Sequence, residues 1–291
     1  MQHFKAIRTR TKFARTWFAI SLILGFALVT FGCDTNKLVS GQLASSKSRQ
    51  SVNKEVLAIG YAYNANGELS GYDENEYDSN GNLTKTNIYD PNGKLSGYNK
   101  YEYDFNGNRT KQSIYDANEE LSVYTECEYD SNGNPTIMNR YNANGKLSSY
   151  FEIVYDSNGY RTKYSSYNAN RELTDYFVYE YDSNGNWIKS SIYNANGELS
   201  EYLVYEYDSN GNQTKQWSYN ANGKMSSCFE IEYDSNGNET RYNNYNADGK
   251  LIYYIVFEYD SNRNRIKSST YNANGELTYY EVLIYKSNAA S

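Results

Sequence analysis

The sequence predicts an all-β fold: an antiparallel meander of tandem 26-residue hairpin repeats, about 18 strands in all, curled into a spiral or barrel-like shell. Three observations carry that reading. Tyrosines recur without insertion at Tyr63, Tyr89, Tyr115 and on to Tyr271, and again at Tyr77, Tyr103, Tyr129 and on to Tyr285, a spacing of 26 at every step. Turn sequences of the DSNG and NANG type separate runs that alternate in side-chain character. The composition, with 35 Tyr, 20 Gly and only two Pro, suits hairpins and suits helices poorly. Because an open twisted sheet rarely exceeds ~10 strands, a meander this long has to curl and cover its apolar face.

One unit shows how the strands arise. In Tyr193 to Ser218, a longer strand, Glu198 to Tyr207, is followed by Asp208-Ser209-Asn210-Gly211 and a shorter strand, Gln213 to Tyr219. Asn-Gly favours a two-residue type I′ turn, since Asn tolerates and Gly freely adopts positive φ. A two-residue loop at Asn210-Gly211 sets Glu206 opposite Lys215, Leu203 opposite Ser218, Phe177 opposite Ile192 and Ile255 opposite Thr270. One face then gathers Leu199, Leu203, Tyr205 and Tyr207, and the other Ser200, Tyr202, Glu206, Lys215 and Tyr219. A three-residue loop with a bulge would move Lys215 among the aliphatics, a poorer pattern. Glu119, Arg171 and Arg263 stand where the left-handed glycine is expected, so those corners should be strained. The array opens with a strand at Val56 to Tyr63.

Ahead of the array, residues 1–32 combine a basic start with an apolar run from Trp17 to Gly32. That run is shorter than the ~20 residues of a spanning helix and suits an export signal. Thr30-Phe31-Gly32-Cys33 resembles a bacterial lipoprotein processing box, which implies lipidation of Cys33. Residues 33–55 are rich in Ser, Lys, Gln and Asn and read as the lipidated N-terminus and a flexible tether, leaving 56–291 as the repeat array. The expected location is the cell envelope, with a lipid as the membrane partner.

Charge and chemistry narrow the function. Net charge is −7, and beyond residue 32 the chain has 23 Lys and Arg against 35 Asp and Glu, dispersed, which disfavours nucleic acid. The single histidine is His3, so no histidine-based triad or metal site is expected, and no cofactor. Carboxylates such as Glu206 and Glu232 form a regular column facing Lys215 and Arg241, and nothing marks one unit as a cleft, so the chain is not expected to be an enzyme. Corners such as Asp182 to Asn186 look like calcium loops, yet turn chemistry explains them without a metal. Cys127 and Cys228 fall on opposite faces, four repeats or roughly 38 Å apart at ~4.8 Å per strand, and two free thiols are expected.

The recurring YEYDSNGN and IYNANGELS segments, from Tyr63 to Tyr285, resemble the YD-repeat, or rearrangement-hotspot, family. The resemblance implies a spiral β-sheet, which in large family members forms a shell around a C-terminal toxic domain. No C-terminal effector or self-cleaving segment is recognisable in this chain.

The candidate binding face is the column Tyr72, Tyr98, Tyr124, Tyr150, Tyr176, Tyr202, Tyr254 and Tyr280, interrupted by Cys228. Aromatic rings beside acids suit sugar faces and hydroxyls, whereas cross-strand packing uses the same rings as sheet glue. The expected function is a non-enzymatic, lipid-anchored envelope scaffold or adhesion surface with a protein or glycan partner. The alternative is a carbohydrate- or peptidoglycan-binding module.

Overall fold

The computed structural model describes residues 55–287. The expected export signal, Cys33 and nearly all of the tether lie outside them. Eighteen strands follow one another from β1 (Glu55–Asn64) and β2 (Leu69–Tyr77), through β12 (Leu199–Tyr207), β13 (Gln213–Asn220) and β14 (Met225–Tyr233), to β18 (Leu277–Ser287). Each pairs antiparallel with its neighbours in sequence, and β1 pairs with both β2 and β18. The meander is therefore a closed barrel, and closure removes the unpaired sheet edges that invite aggregation.

The expected register holds. Glu206 faces Lys215, Leu203 faces Ser218, Phe177 faces Ile192 and Ile255 faces Thr270. Its cause is not the expected turn. Asp208 N–H donates to the Asn212 carbonyl at 2.8 Å and Gly211 N–H to the Asp208 carbonyl at 3.1 Å. Gly211 is at φ 82°, while Asn210 is not at positive φ. This is a type I turn closed by a left-handed residue, a three-residue loop rather than type I′. Alone it would slip the pairing by one residue and carry Lys215 to the Leu203 face. A second irregularity at Thr214 cancels the slip, because Tyr207 faces Gln213 while Glu206 faces Lys215. The Thr214 hydroxyl donates to the Glu206 carbonyl at 3.4 Å, and Thr84 does the same to Glu76 at 3.1 Å. At the opposite corner Ser226 donates to the Ser218 carbonyl at 3.1 Å. At these corners a hydroxyl thus occupies a backbone acceptor that the bulge leaves outside the ladder, whereas Ile188, Ile252 and Ile266 stand at equivalent positions without one.

Tilt follows from the same register. Tyr72 faces Tyr89, yet Tyr98, one repeat later, faces Asn87. Each hairpin slips by two residues, which is the stagger a closing sheet needs.

Burial identifies the concave side. Leu203 is 5% exposed and Tyr205 9%, whereas Glu206 between Tyr205 and Tyr207 is exposed. Phe151, Ile153, Tyr164, Tyr179, Ile255 and Phe257 are buried on this same inner face. Near the seam the inner face turns polar: Asn75 donates to Asp73 at 3.1 Å and Thr86 donates to Asn75 at 2.7 Å. At the DSNG rim the strand-end tyrosines reach back across the wall. Tyr207 donates to the Trp187 carbonyl at 2.7 Å and Tyr103 to the Leu83 carbonyl at 2.8 Å. Burial pushes the Tyr207 phenol up to about 12.

The three corners lacking glycine are left-handed, with φ 64° at Glu119, 64° at Arg171 and 68° at Arg263. A non-glycine residue there costs about 1 kcal/mol, so Glu119→Gly is expected to stabilise the barrel by that amount in a thermal melt. Arg171→Gly should gain less, because the Arg171 guanidinium lies 5.4 Å from the Tyr150 ring, a contact worth ~0.5 to 1 kcal/mol.

Candidate functional site

All eight candidate tyrosines lie on the outward face, and none stands alone. The register that puts Glu206 opposite Lys215 also puts Tyr202 opposite Tyr219, and the rings stack with centroids 4.9 Å apart and planes 13° apart. Tyr98 stacks on Tyr115 at 4.6 Å, Tyr150 on Tyr167 at 4.4 Å, and Tyr254 on Tyr271 at 4.9 Å. The same pairing bridges the seam, where Tyr280 stacks on Tyr63 at 4.8 Å. The second tyrosine of each pair was visible in the sequence as a landmark of the repeat and, in Tyr219, as a residue on the same face as Tyr202. Its role follows once the register is known.

Cations approach these rings from the neighbouring strand. Lys111 Nζ lies 4.4 Å from the Tyr124 centroid, Lys163 Nζ 4.4 Å from Tyr176, and the Arg241 guanidinium 3.9 Å from Tyr254. Such contacts are worth ~0.5 to 2 kcal/mol each. A candidate ring thus stacks on tyrosine and also meets a cation, and Tyr98, with Lys85 at 4.7 Å, is only 6% exposed. This geometry favours the rings as structural cement over open stacking plates.

Where the column is interrupted, Cys228 faces Trp217. In other repeats that pair is a small residue against a tyrosine, as in Ser191 opposite Tyr202. The large residue has changed strands. Cys228 carries a free thiol, raised by burial and by Glu230. Cys127 is on the inner face and is not free, so the expectation of two free thiols fails there.

The charged belt beside the tyrosines also departs from the expected contacts. Lys189 pairs with Glu180 at 3.0 Å and Lys267 with Glu258 at 3.1 Å, each with the glutamate directly opposite. Lys215 instead reaches Glu230 on β14 at 2.8 Å, and Lys111 reaches Glu126 at 2.9 Å. Hydrogen bonding from Lys215 holds the Glu230 carboxyl below its ordinary value, and Tyr245 also donates to it at 3.1 Å. Double-mutant cycles should therefore give Lys215 a larger coupling with Glu230 than with Glu206, both within ~1 kcal/mol for exposed pairs. A larger coupling with Glu206 would contradict the contact.

The corner carboxylates are committed to their own turns. Asp208 Oδ1 accepts from the N–H groups of Asn210 and Asn212 at 2.9 and 2.8 Å, and Oδ2 accepts from Asn212 Nδ2 at 2.9 Å. Among the described residues no group of three or more His, Cys, Asp or Glu is placed to hold a metal. A shallow, open depression of about 400 Å³ on the outward face is lined by Glu102, Lys111, Glu126 and Tyr141, and its lysine is already paired.

With this geometry in place, comparison with known proteins adds the following. The family described as "Protein of unknown function (DUF2963)" matches residues 219–271, two repeat periods between stacking tyrosines. No curated protein matches the chain. Among solved structures, one chain of TcdB2-TccC3 is similar at 13% identity and TM-score 0.30, covering 75% of this chain and 15% of that one. This chain thus spans a small fraction of that protein's length. A porin-like protein from Bacteroides uniformis is similar at 10% identity and TM-score 0.43, over 79% of this chain and 98% of that one. Another from Bacteroides vulgatus is similar at 11% identity and TM-score 0.37, over 79% and 99%. At these values the likeness concerns the course of β-strands and carries nothing about activity.

Proposed function

We propose that this chain is an exported, non-enzymatic envelope protein, anchored by a lipid on Cys33, whose barrel serves as a scaffold presenting a repeated polar surface to a protein partner. The observation that supports this most is the outward face. Ion pairs and cation-capped tyrosines occupy it from strand to strand, and the depression beside Lys111 is shallow and open. A barrel that crosses a bilayer needs an apolar outer band about 25 Å tall, and a Lys or Arg facing lipid at mid-depth costs about 2 to 4 kcal/mol. Lys100, Glu126, Glu152 and Glu230 sit mid-strand on the outward face, which supports a barrel surrounded by water with a separate anchor. Glu180 and Glu230 are paired with lysines and Asp208 is bound to its own turn, commitments that support a structural rather than a catalytic role for these carboxylates.

Metabolic labelling with palmitate tests the anchor. Wild type should take up label and sediment with membranes, and Cys33→Ser should do neither. Unlabelled, soluble wild type would refute it. A glycan array with the purified protein tests the carbohydrate-binding alternative. Binding that grows with the number of repeats would favour that alternative over the scaffold.

A further inference from the structure

We propose that the outward tyrosine pairs are sites of intramolecular oxidative cross-linking, in which a peroxidase-type one-electron oxidant using hydrogen peroxide joins the two rings of a pair as dityrosine, and that Tyr150–Tyr167 reacts first. Two phenoxyl radicals combine through their faces, because the unpaired density lies in the π-system above and below each ring. A bond between ortho carbons therefore forms most readily from a parallel stack. Tyr150 and Tyr167 form the tightest and flattest of these stacks, with centroids 4.4 Å apart and planes 5° apart. Both rings are half-buried on the outward face, within reach of an oxidant that removes electrons at the surface.

The second requirement is a proton acceptor, since a phenol loses its proton as it loses an electron. Tyr167 Oη donates to Glu152 Oε2 at 2.8 Å, so a carboxylate is in place to take that proton. Rim tyrosines such as Tyr207 donate instead to a backbone carbonyl, which cannot accept a proton at neutral pH. Tyr245 has the carboxylate, Glu230 at 3.1 Å, but faces Cys228 rather than a ring and cannot form dityrosine with its cross-strand neighbour.

The step balances as follows. Each phenol gives up one electron and one proton, and one hydrogen peroxide takes both electrons and both protons to become two waters. The radicals form one carbon–carbon bond. The hydrogens on the two bonded carbons then move to the oxygens, restoring two phenols and leaving the protein two hydrogens lighter. The product is a covalent rung between neighbouring strands of the wall.

The test treats the full-length protein with a haem peroxidase and limiting hydrogen peroxide, then maps cross-linked peptides by mass spectrometry. The expected result is a chain that stays monomeric on a denaturing gel, with the Tyr150–Tyr167 link, two hydrogens lighter, appearing before any other. Tyr167→Phe keeps the stack and should abolish that link. Glu152→Gln should slow it several-fold while the Tyr202–Tyr219 link forms at the wild-type rate, which also reports that the variant is folded. Covalent dimers as the main product, or a Tyr150–Tyr167 link no earlier than the rest, would overturn the proposal. So would an unchanged rate in Glu152→Gln.

Discussion

Leu203→Asp is expected to unfold the barrel under conditions where Tyr202→Asp, one residue away, leaves it folded. Leu203 is 5% exposed on the inner face, and its cross-strand neighbours there are Ser218 on one side and Ser190 on the other. Neither is a cation, so an aspartate at 203 loses its water without gaining a charged partner. A buried uncompensated charge of this kind destabilises by roughly 3 to 5 kcal/mol, a large part of a typical domain's stability. Tyr202→Asp forfeits one stack on Tyr219, about 0.5 to 1.5 kcal/mol, and leaves the new carboxylate on the wet face within reach of Lys189. Denaturant midpoints of the two variants measure the difference. Equal losses would mean that the faces are not separated as described.

The second large effect is a stability optimum at mildly acidic pH. Asp78, Asp104, Asp182, Asp208 and Asp234 are all held below the usual aspartate value, first by the side chain of the Asn four residues on and also by backbone N–H groups. A depressed folded pKa contributes stability above the unfolded value, near 3.8, that is lost as pH falls through the folded one. Asp73, Glu201 and Glu239 have the opposite sign, each raised chiefly by burial. Their contribution is complete below the unfolded values, 3.8 and 4.5, and is lost as pH rises through the raised ones. Stability should therefore climb as pH drops from neutrality toward the ordinary carboxylate range, then fall steeply below it as repeated corners open together. Denaturant melts across pH 2 to 8 read the profile. A monotonic rise from pH 4 to 8 would contradict the raised inner acids.

Much of this wall was legible in the sequence because the repeat states each preference many times. Alternation around Leu203 and the opposite charges of Glu206 and Lys215 fixed the register. The turn at Asn210-Gly211 was misread, since Asn-Gly suits type I′ in isolation while here only Gly211 takes positive φ. Two one-residue irregularities, at the corner and at Thr214, cancel and so leave no trace in the alternation. A signal for the second was present in the hydroxyl residues Thr84, Thr110, Thr136, Thr162, Thr214 and Thr240, which all bond the carbonyl eight positions back. Lys215's choice of Glu230 over Glu206 depends on which side of the strand the chain leans, and pairing rules do not specify that. Closure was equally hidden: strand count argues for curling, but the seam of β1 on β18 depends on the accumulated slip of all the hairpins.

That seam is the most direct test of a closed barrel. Native-state hydrogen exchange compares the amides of Ile59 to Tyr63 and Tyr280 to Ile284 with those of β12 in mid-wall. In the closed barrel Tyr61 sits opposite Val282 on one side and Tyr72 on the other, with both seam strands paired along both flanks. The account predicts that amides in both seam strands exchange as slowly as those of β12. If every second amide along β1 and β18 exchanges at the rate of an exposed edge, the sheet is an open spiral and the barrel is wrong.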